Sequence, residues 1–265
     1  MTETCVNDEI LYAVEGGVGT ITLNRPQARN ALTFAMYERI AEICRDLVAH
    51  GDPRVIVMTG AGDKAFAAGT DIAQFRSFSS AEDALAYEER IETVIGTIES
   101  CPVPTLAAIS GAFTGGGAAI GLACDLRIAT QSARFGFPIA RTLGNCLSME
   151  NYGRLYAILG PARVKDIVFT ARLVEAEEGA RIGLYNELVP DHEALMRRAR
   201  ELAETIAGHA PLTMRATKEA MRRLTAATAA GIDGHDLVTL CYTSADFREG
   251  MEAFLGKRTP NWKGR

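Results

Sequence analysis

Residues 111–129 read GAFTGGGAAIGLACDLRIA, and the reading of this stretch decides the fold. It follows Thr105–Ile109, whose apolar run Leu106–Ile109 suits a buried strand. The glycines Gly115-Gly116-Gly117 open a run of small residues, and the spacing predicts a helix over Gly116–Cys124. Leu126–Ala129 and Arg134–Phe137 then read as strands. Strand, helix and strand in succession point to an α/β architecture. Consecutive glycines at a helix start let the backbone approach a ligand closely and leave free N–H groups at the positive end of the helix dipole. Such a place suits an anion or a developing oxyanion. The same glycines suit close packing of a helix on a sheet, and the triplet alone does not choose between the two.

The pattern extends in both directions. Towards the N-terminus, Leu11–Val14 and Val18–Leu23 read as strands joined by a Gly16-Gly17 turn. Gly17-Val18-Gly19 is no dinucleotide fingerprint, because it leads into a strand rather than a helix. Thr33 caps a predicted helix to about His50, with Met36, Ile40, Ile43, Leu47 and Val48 at helical spacing. Val55–Met58 is a second continuous apolar run, followed by the glycine-containing loop 65–72. A helix is predicted from Ala81 to Ser100, with Leu85, Ile91, Val94, Ile95 and Ile98 as its stripe. Pro102 and Pro104 stop it. After Ser148 the pattern is almost entirely helical, with segments over Ser148–Leu159, Ala162–Thr170, Ala176–Ile182, His192–Gly208, Pro211–Thr225 and Thr243–Leu255. Residues 1–200 are therefore expected to form an α/β core and residues 201–265 a helical C-terminal region. Ala226–Gly231 is merely Ala-rich.

Bulk properties narrow the function. At 265 residues, 48% hydrophobic and 23% charged, the chain has the composition of a globular protein able to bury a full core. A net charge of −5 argues against a nucleic-acid binder. Apolar runs such as Val55–Met58 and Ala118–Cys124 are too short to span a bilayer. The polar start, with Glu3, Asp8 and Glu9, has no targeting pattern. The cysteines Cys5, Cys44, Cys101, Cys124, Cys146 and Cys241 form no CxxC pair, which suggests reduced thiols in a cytoplasmic protein.

Several strings together resemble one family. LNRPQARNAL (residues 23–32), KAFAAGTDI (64–72), GAFTGGGAAIGLACDLRIA (111–129), FGFP (135–138), Leu159-Gly160 and EGMEAFLGKRTPNW (249–262) are similar, in order and spacing, to the signatures of the enoyl-CoA hydratase/isomerase (crotonase-like) family. The resemblance implies a spiral of ββα units with C-terminal helices that assemble trimers, often paired into hexamers. Apolar positions there include Leu237, Leu240, Phe247, Met251 and Phe254. It implies an acyl-CoA substrate, with coenzyme A arriving as part of that substrate and no separate cofactor or metal. It also implies an oxyanion hole made by the backbone N–H groups of Thr70 and Gly116. Arg25 and Lys64 would lie near the CoA phosphates and adenine, Ala67 and Ala68 at the adenine, and Asp71 and Ile72 beside the oxyanion residue. Asp71 would bond its own loop. Phe254 and Lys257 would reach the CoA of a neighbouring subunit.

The chain departs from the family where hydratases carry two catalytic glutamates. Those positions are Ala119 and Ile139, and neither 111–124 nor 135–148 contains an Asp or Glu. A positioned acid or base contributes about 10²–10⁴ in rate, so ordinary water addition is expected to be very slow. Other branches of the family place a carboxylate near the position of Ser148, which makes Glu150 the first candidate base; its alternative reading is a favourable charge in the first turn of a helix. Arg141 reads as a partner for a second substrate carboxylate or as a surface charge, and Cys146 as a nucleophile or an inert buried thiol. His50, His192, His209 and His235 match no catalytic position of the family, and there is no GxSxG. The expectation is an acyl-CoA enzyme that stabilises an enolate, as a lyase or isomerase. The alternatives are a CoA-thioester hydrolase, decarboxylase or dehalogenase of the same fold, or a non-catalytic acyl-CoA binder.

Overall fold

A computed structural model describes residues 9–50, 53–78, 80–229 and 232–265. Cys5, Glu3, Asp8, the end of the Ala-rich stretch 226–231 and the side chains of Val48 and His50 lie outside the described residues.

The hairpin β1 (Ile10–Glu15) and β2 (Val18–Leu23) turns at Gly16-Gly17 and pairs Ile10 with Leu23 through to Glu15 with Val18. Helix α1 (Phe34–His50) follows, with Thr33 Oγ1 accepting from the Met36 N–H. Three strand pairs then repeat one plan. β3 (Val55–Gly60), β5 (Thr105–Ile109) and β7 (Leu126–Thr130) enter a large sheet; β4 (Ala65–Ala67), β6 (Ala112–Thr114) and β8 (Arg134–Gly136) enter a small one. Helices α2 (Ala81–Glu99), α3 (Gly115–Ala123) and α4 (Ile139–Thr142) close the three units, so the chain winds as successive ββα turns. With the last strands, β9 (Val174–Glu175) and β10 (Glu187–Val189), the sheet orders are β1-β2-β3-β5-β7-β10 and β4-β6-β8-β9. The large sheet is parallel from β2 to β10.

Both faces of the large sheet are covered, which is why its strands read as unbroken apolar runs. Val55, Val57, Leu106 and Ala108 pack against Ala194, Leu195, Ala199 and Ala203 of α8 (His192–Ala207). The alternate residues Ile56, Met58, Ala107 and Ile109 point the other way, into the main core with α1, α2 and α3. Position 200 thus falls inside α8, a helix packed on the sheet. The first break after it is at 208–210.

Helices α5 (Met149–Leu159), α6 (Pro161–Thr170), α7 (Ala176–Arg181), α9 (Pro211–Ala229), α10 (His235–Tyr242) and α11 (Ala245–Leu255) complete the chain. Lys218 of α9 is a clasp: its Nζ pairs with Asp125 at 2.7 Å and donates to the carbonyls of Ile98 and Val103. α10 lies between the helical segments named from the sequence, and it matters for the site. With α11 it brings Val238, Tyr242 and Phe247 onto Phe75, Ala84, Leu143 and Cys146, forming a roof of its own. Phe247 is therefore spent inside its own chain, contrary to the expected role in assembly. No helix among the described residues is long and apolar enough to cross a membrane.

Candidate active site

Under that roof lies a cavity of about 480 Å³ lined by, among others, Thr70, Gly116, Ala119, Ile139 and Glu88. Its floor is made where two glycine loops from successive ββα units meet. Leu32 grips the first loop on both sides of Thr70. The Leu32 N–H donates to Gly69 O (2.8 Å), and the Leu32 carbonyl accepts from the Asp71 N–H (2.8 Å). In an extended segment neighbouring N–H groups point to opposite sides, so the N–H of Thr70 faces away from Leu32. Gly69 permits the turn with φ +116. The second loop begins α3, where the first N–H groups have no intrahelical acceptor. Among the described residues, neither the Thr70 nor the Gly116 N–H donates to a protein acceptor.

The loops touch. A Cβ on Gly116 would stand 1.9 Å from Tyr37 Oη and 2.8 Å from Thr70 Oγ1, so only glycine lets this backbone come so close. Thr70 Oγ1 lies 2.9 Å from Tyr37 Oη and 3.2 Å from Tyr87 Oη, a chain of three hydroxyls behind the loop. Burial pushes both phenols well above their ordinary pKa, so they remain neutral donors.

The other expected residues divide. Ala68, Asp71, Ile72 and Phe254 line the cavity, Phe254 from the same chain. Ala67 is buried in β4 beneath it, and Lys64 and Lys257 are exposed and away from it. Arg25 is not free to meet a phosphate: Nε pairs with Glu9 at 3.0 Å, and Nη1 pairs with Asp71 at 3.1 Å and donates to Ala31 O at 2.7 Å. With Asn30, whose Nδ2 donates to the carbonyls of Ala61 and Ala65, it holds the motif 23–32 against the first loop. The exposed cation that does line the cavity is Arg29, four residues later, which sequence reading passed over.

Ala119 and Ile139, the positions where the resemblance implies glutamates, both line the cavity and make apolar wall there. Glu150 does not join them at the cavity. It is an exposed first-turn residue of α5, capped by Ser148, and it lines neighbouring hollows instead of this cavity. Arg141 is exposed outside the cavity, and none of His192, His209 and His235 lines it. Cys146 does line it, but contact with Cys241 and burial hold its thiol well above the usual range, which disfavours a thiolate nucleophile. The carboxylates at the cavity are Asp71 and Glu88. Glu88 was missed; it lies three residues from both Leu85 and Ile91, on the buried stripe of α2, and that spacing was the available signal.

Comparison with known proteins agrees with this geometry. The enoyl-CoA hydratase/isomerase family profile matches residues 13–265. The short-chain-enoyl-CoA hydratase of Clostridium acetobutylicum is 32% identical over 254 residues, covering 95% of this chain and 96% of its own. An enoyl-CoA hydratase/carnithine racemase structure from Magnetospirillum magneticum superposes with a TM-score of 0.78 at 33% identity, covering 98% of this chain and 97% of that one. A methylmalonyl-CoA decarboxylase in complex with 2-nitronate-propionyl-CoA superposes with a TM-score of 0.87 at 27% identity, covering 97% and 99%. The ββα spiral, the paired glycine loops and these matches over nearly the full length identify the chain as a member of the enoyl-CoA hydratase/isomerase family of acyl-CoA enzymes.

Proposed function

We propose that the chain binds an acyl-CoA thioester with its C=O on the N–H groups of Thr70 and Gly116, and stabilises the enolate formed at Cα. The observation that carries this reading is the meeting, at one cavity, of two backbone donors that have no acceptor among the described residues. Donors fixed in a water-poor site need no reorganisation as charge grows on the oxygen, and losing one costs about 3–4 kcal/mol in comparable enzymes. Arg29 at the rim is the cation best placed for the CoA phosphates, with Ala68 and Phe254 on the adenine side. Apolar side chains at 119 and 139 do not support the two-carboxylate addition of water that hydratases use.

A second reading, loss of CO₂ from a malonyl-type thioester, is favoured by the same apolar wall. Breaking the C–CO₂ bond delivers the enolate without a base, so the N–H pair suffices for the first step. A wall of Phe137, Ile139 and Ala119 solvates neutral CO₂ better than the carboxylate from which it forms. The structural likeness to a methylmalonyl-CoA decarboxylase supports including it.

Calorimetric titration with butyryl-CoA, followed by turnover assays on crotonyl-CoA and methylmalonyl-CoA, tests both readings. Binding with slow hydration is expected. Hydration at the rate of a two-glutamate relative would refute the account of positions 119 and 139, and absence of acyl-CoA binding would refute the whole reading.

A further inference from the structure

We propose that Glu88 moves the proton at the substrate's Cα, in place of the carboxylates absent at positions 119 and 139. The inference rests on the acyl-CoA reading above. Of the two carboxylates at the cavity, Asp71 is committed: it pairs with Arg25 at 3.1 Å and accepts from the Ala73 N–H at 3.1 Å. Glu88 accepts from the Tyr242 hydroxyl at 2.5 Å and has no cation partner among the described residues.

The contrast along α2 is informative. Glu92 and Glu99 also turn inward, and both are neutralised by the buried Arg154, at 2.5 Å and 2.7 Å. Buried carboxylates are ordinarily paired in this way, because an unpaired one opposes folding. Glu88 is left unpaired where it meets the substrate cavity, the mark of a group placed for chemistry.

Burial pushes the Glu88 carboxyl up to about 7, with Glu92 and Glu150 adding repulsion and the Tyr242 hydroxyl opposing the rise. Cys146, Tyr37 and Tyr87 from the cavity side, Tyr152 of α5, and Asp233 and His235 from the start of α10 are further titratable groups around it. An acid–base group is most effective when its pKa lies near the working pH. Glu88 also lines a second hollow of about 520 Å³, with Ser148, Gly234 and His235, behind the substrate cavity. That hollow lets Glu88 exchange its proton with solvent while CoA occupies the front. The Cα–H bond breaks, its electron pair passes to the thioester oxygen at Thr70 and Gly116, and the proton bonds to a Glu88 oxygen. The reverse step returns a proton, or a deuteron after exchange, to Cα.

The test is deuterium incorporation at Cα of butyryl-CoA in D₂O, followed by mass spectrometry, beside calorimetry of butyryl-CoA binding. Wild-type protein is expected to exchange, and Glu88→Gln to exchange at least about 100-fold more slowly with unchanged Kd. Tyr242 is a positioning residue. Tyr242→Phe removes a donor to the carboxylate and is expected to move the midpoint of the exchange pH profile upward, which keeps the proposal testable if Glu88→Gln fails to fold. Exchange by Glu88→Gln at the wild-type rate, an unmoved midpoint in Tyr242→Phe, or a wild type that binds butyryl-CoA without exchanging it would overturn the role of Glu88 alone. A wild type that binds no butyryl-CoA would overturn the acyl-CoA reading beneath it.

Discussion

Thr70→Ala separates the backbone of the first loop from its side chain. The hydroxyl it removes lies 2.9 Å from Tyr37 Oη and 3.2 Å from Tyr87 Oη, and both phenols are held neutral by burial. Each buried polar group left without its partner costs about 1–3 kcal/mol, and partial re-pairing of the phenols brings the sum to about 2–4 kcal/mol. For a chain of this size that corresponds to a drop in Tm of about 5–10 °C, measurable by scanning calorimetry. Replacing all three polar groups, in Tyr37→Phe/Thr70→Ala/Tyr87→Phe, is expected to recover most of the loss, because no orphaned donor remains. The N–H of residue 70 survives in Thr70→Ala, so turnover below the transition should fall far less than in Gly116→Pro, which removes the other donor. Gly116→Pro must first be shown to fold. An unchanged Tm would refute the hydroxyl chain as a stabilising unit. Turnover as damaged as in Gly116→Pro would put the Thr70 hydroxyl, in place of its N–H, at the thioester oxygen.

Crotonyl-CoA hydration is expected to be orders of magnitude slower than in a two-glutamate relative, and Ala119→Glu with Ile139→Glu to raise it in a stopped assay of 3-hydroxybutyryl-CoA; no rise in a folded double variant would count against the assignment of those positions. Stability should depend on pH through Glu88: its carboxyl is raised from 4.5 to about 7, so the folded state binds the proton more tightly than the unfolded chain. Stability from this group is thus fully present below about 4.5 and is lost as pH rises through about 7. Urea midpoints on either side of that window should differ less in Glu88→Gln than in the wild type, and an equal difference contradicts the shift. The exposed apolar side chains Leu212, Leu224 and Leu240 on α9 and α10 lead us to expect a trimer or hexamer by light scattering, and a monomer at micromolar concentration would contradict it.

What was legible in the chain followed burial. Val55–Met58 and Leu106–Ile109 are readable because both faces of the large sheet are covered, so these runs are apolar throughout. In the small sheet β8 is readable, as Arg134–Phe137, but β4 and β6 are not: they are three residues each, too short for any periodicity, and lie inside stretches that look like glycine loops. Thr70 and Gly116 were legible as glycine-flanked positions, and the fold brings their loops together. Arg25 and Arg29 carry the same charge four residues apart, and only the ion pairs of Arg25 to Glu9 and Asp71 separate strut from rim. Glu88 is signalled in the sequence only by its spacing from Leu85 and Ile91, because α10, which supplies Tyr242, lies outside the segments with a clear helical pattern. Without Tyr242 above it, a glutamate on α2 looks like ordinary surface.

The central claim is that two backbone N–H groups hold the thioester oxygen, and the carbonyl stretch of bound, isotope-labelled butyryl-CoA reports on that contact directly. A stretch at lower frequency in the wild-type complex than in water is expected, retained in Thr70→Ala and lost in folded Gly116→Pro. A stretch at the solution frequency in the wild-type complex, with butyryl-CoA demonstrably bound, would contradict it.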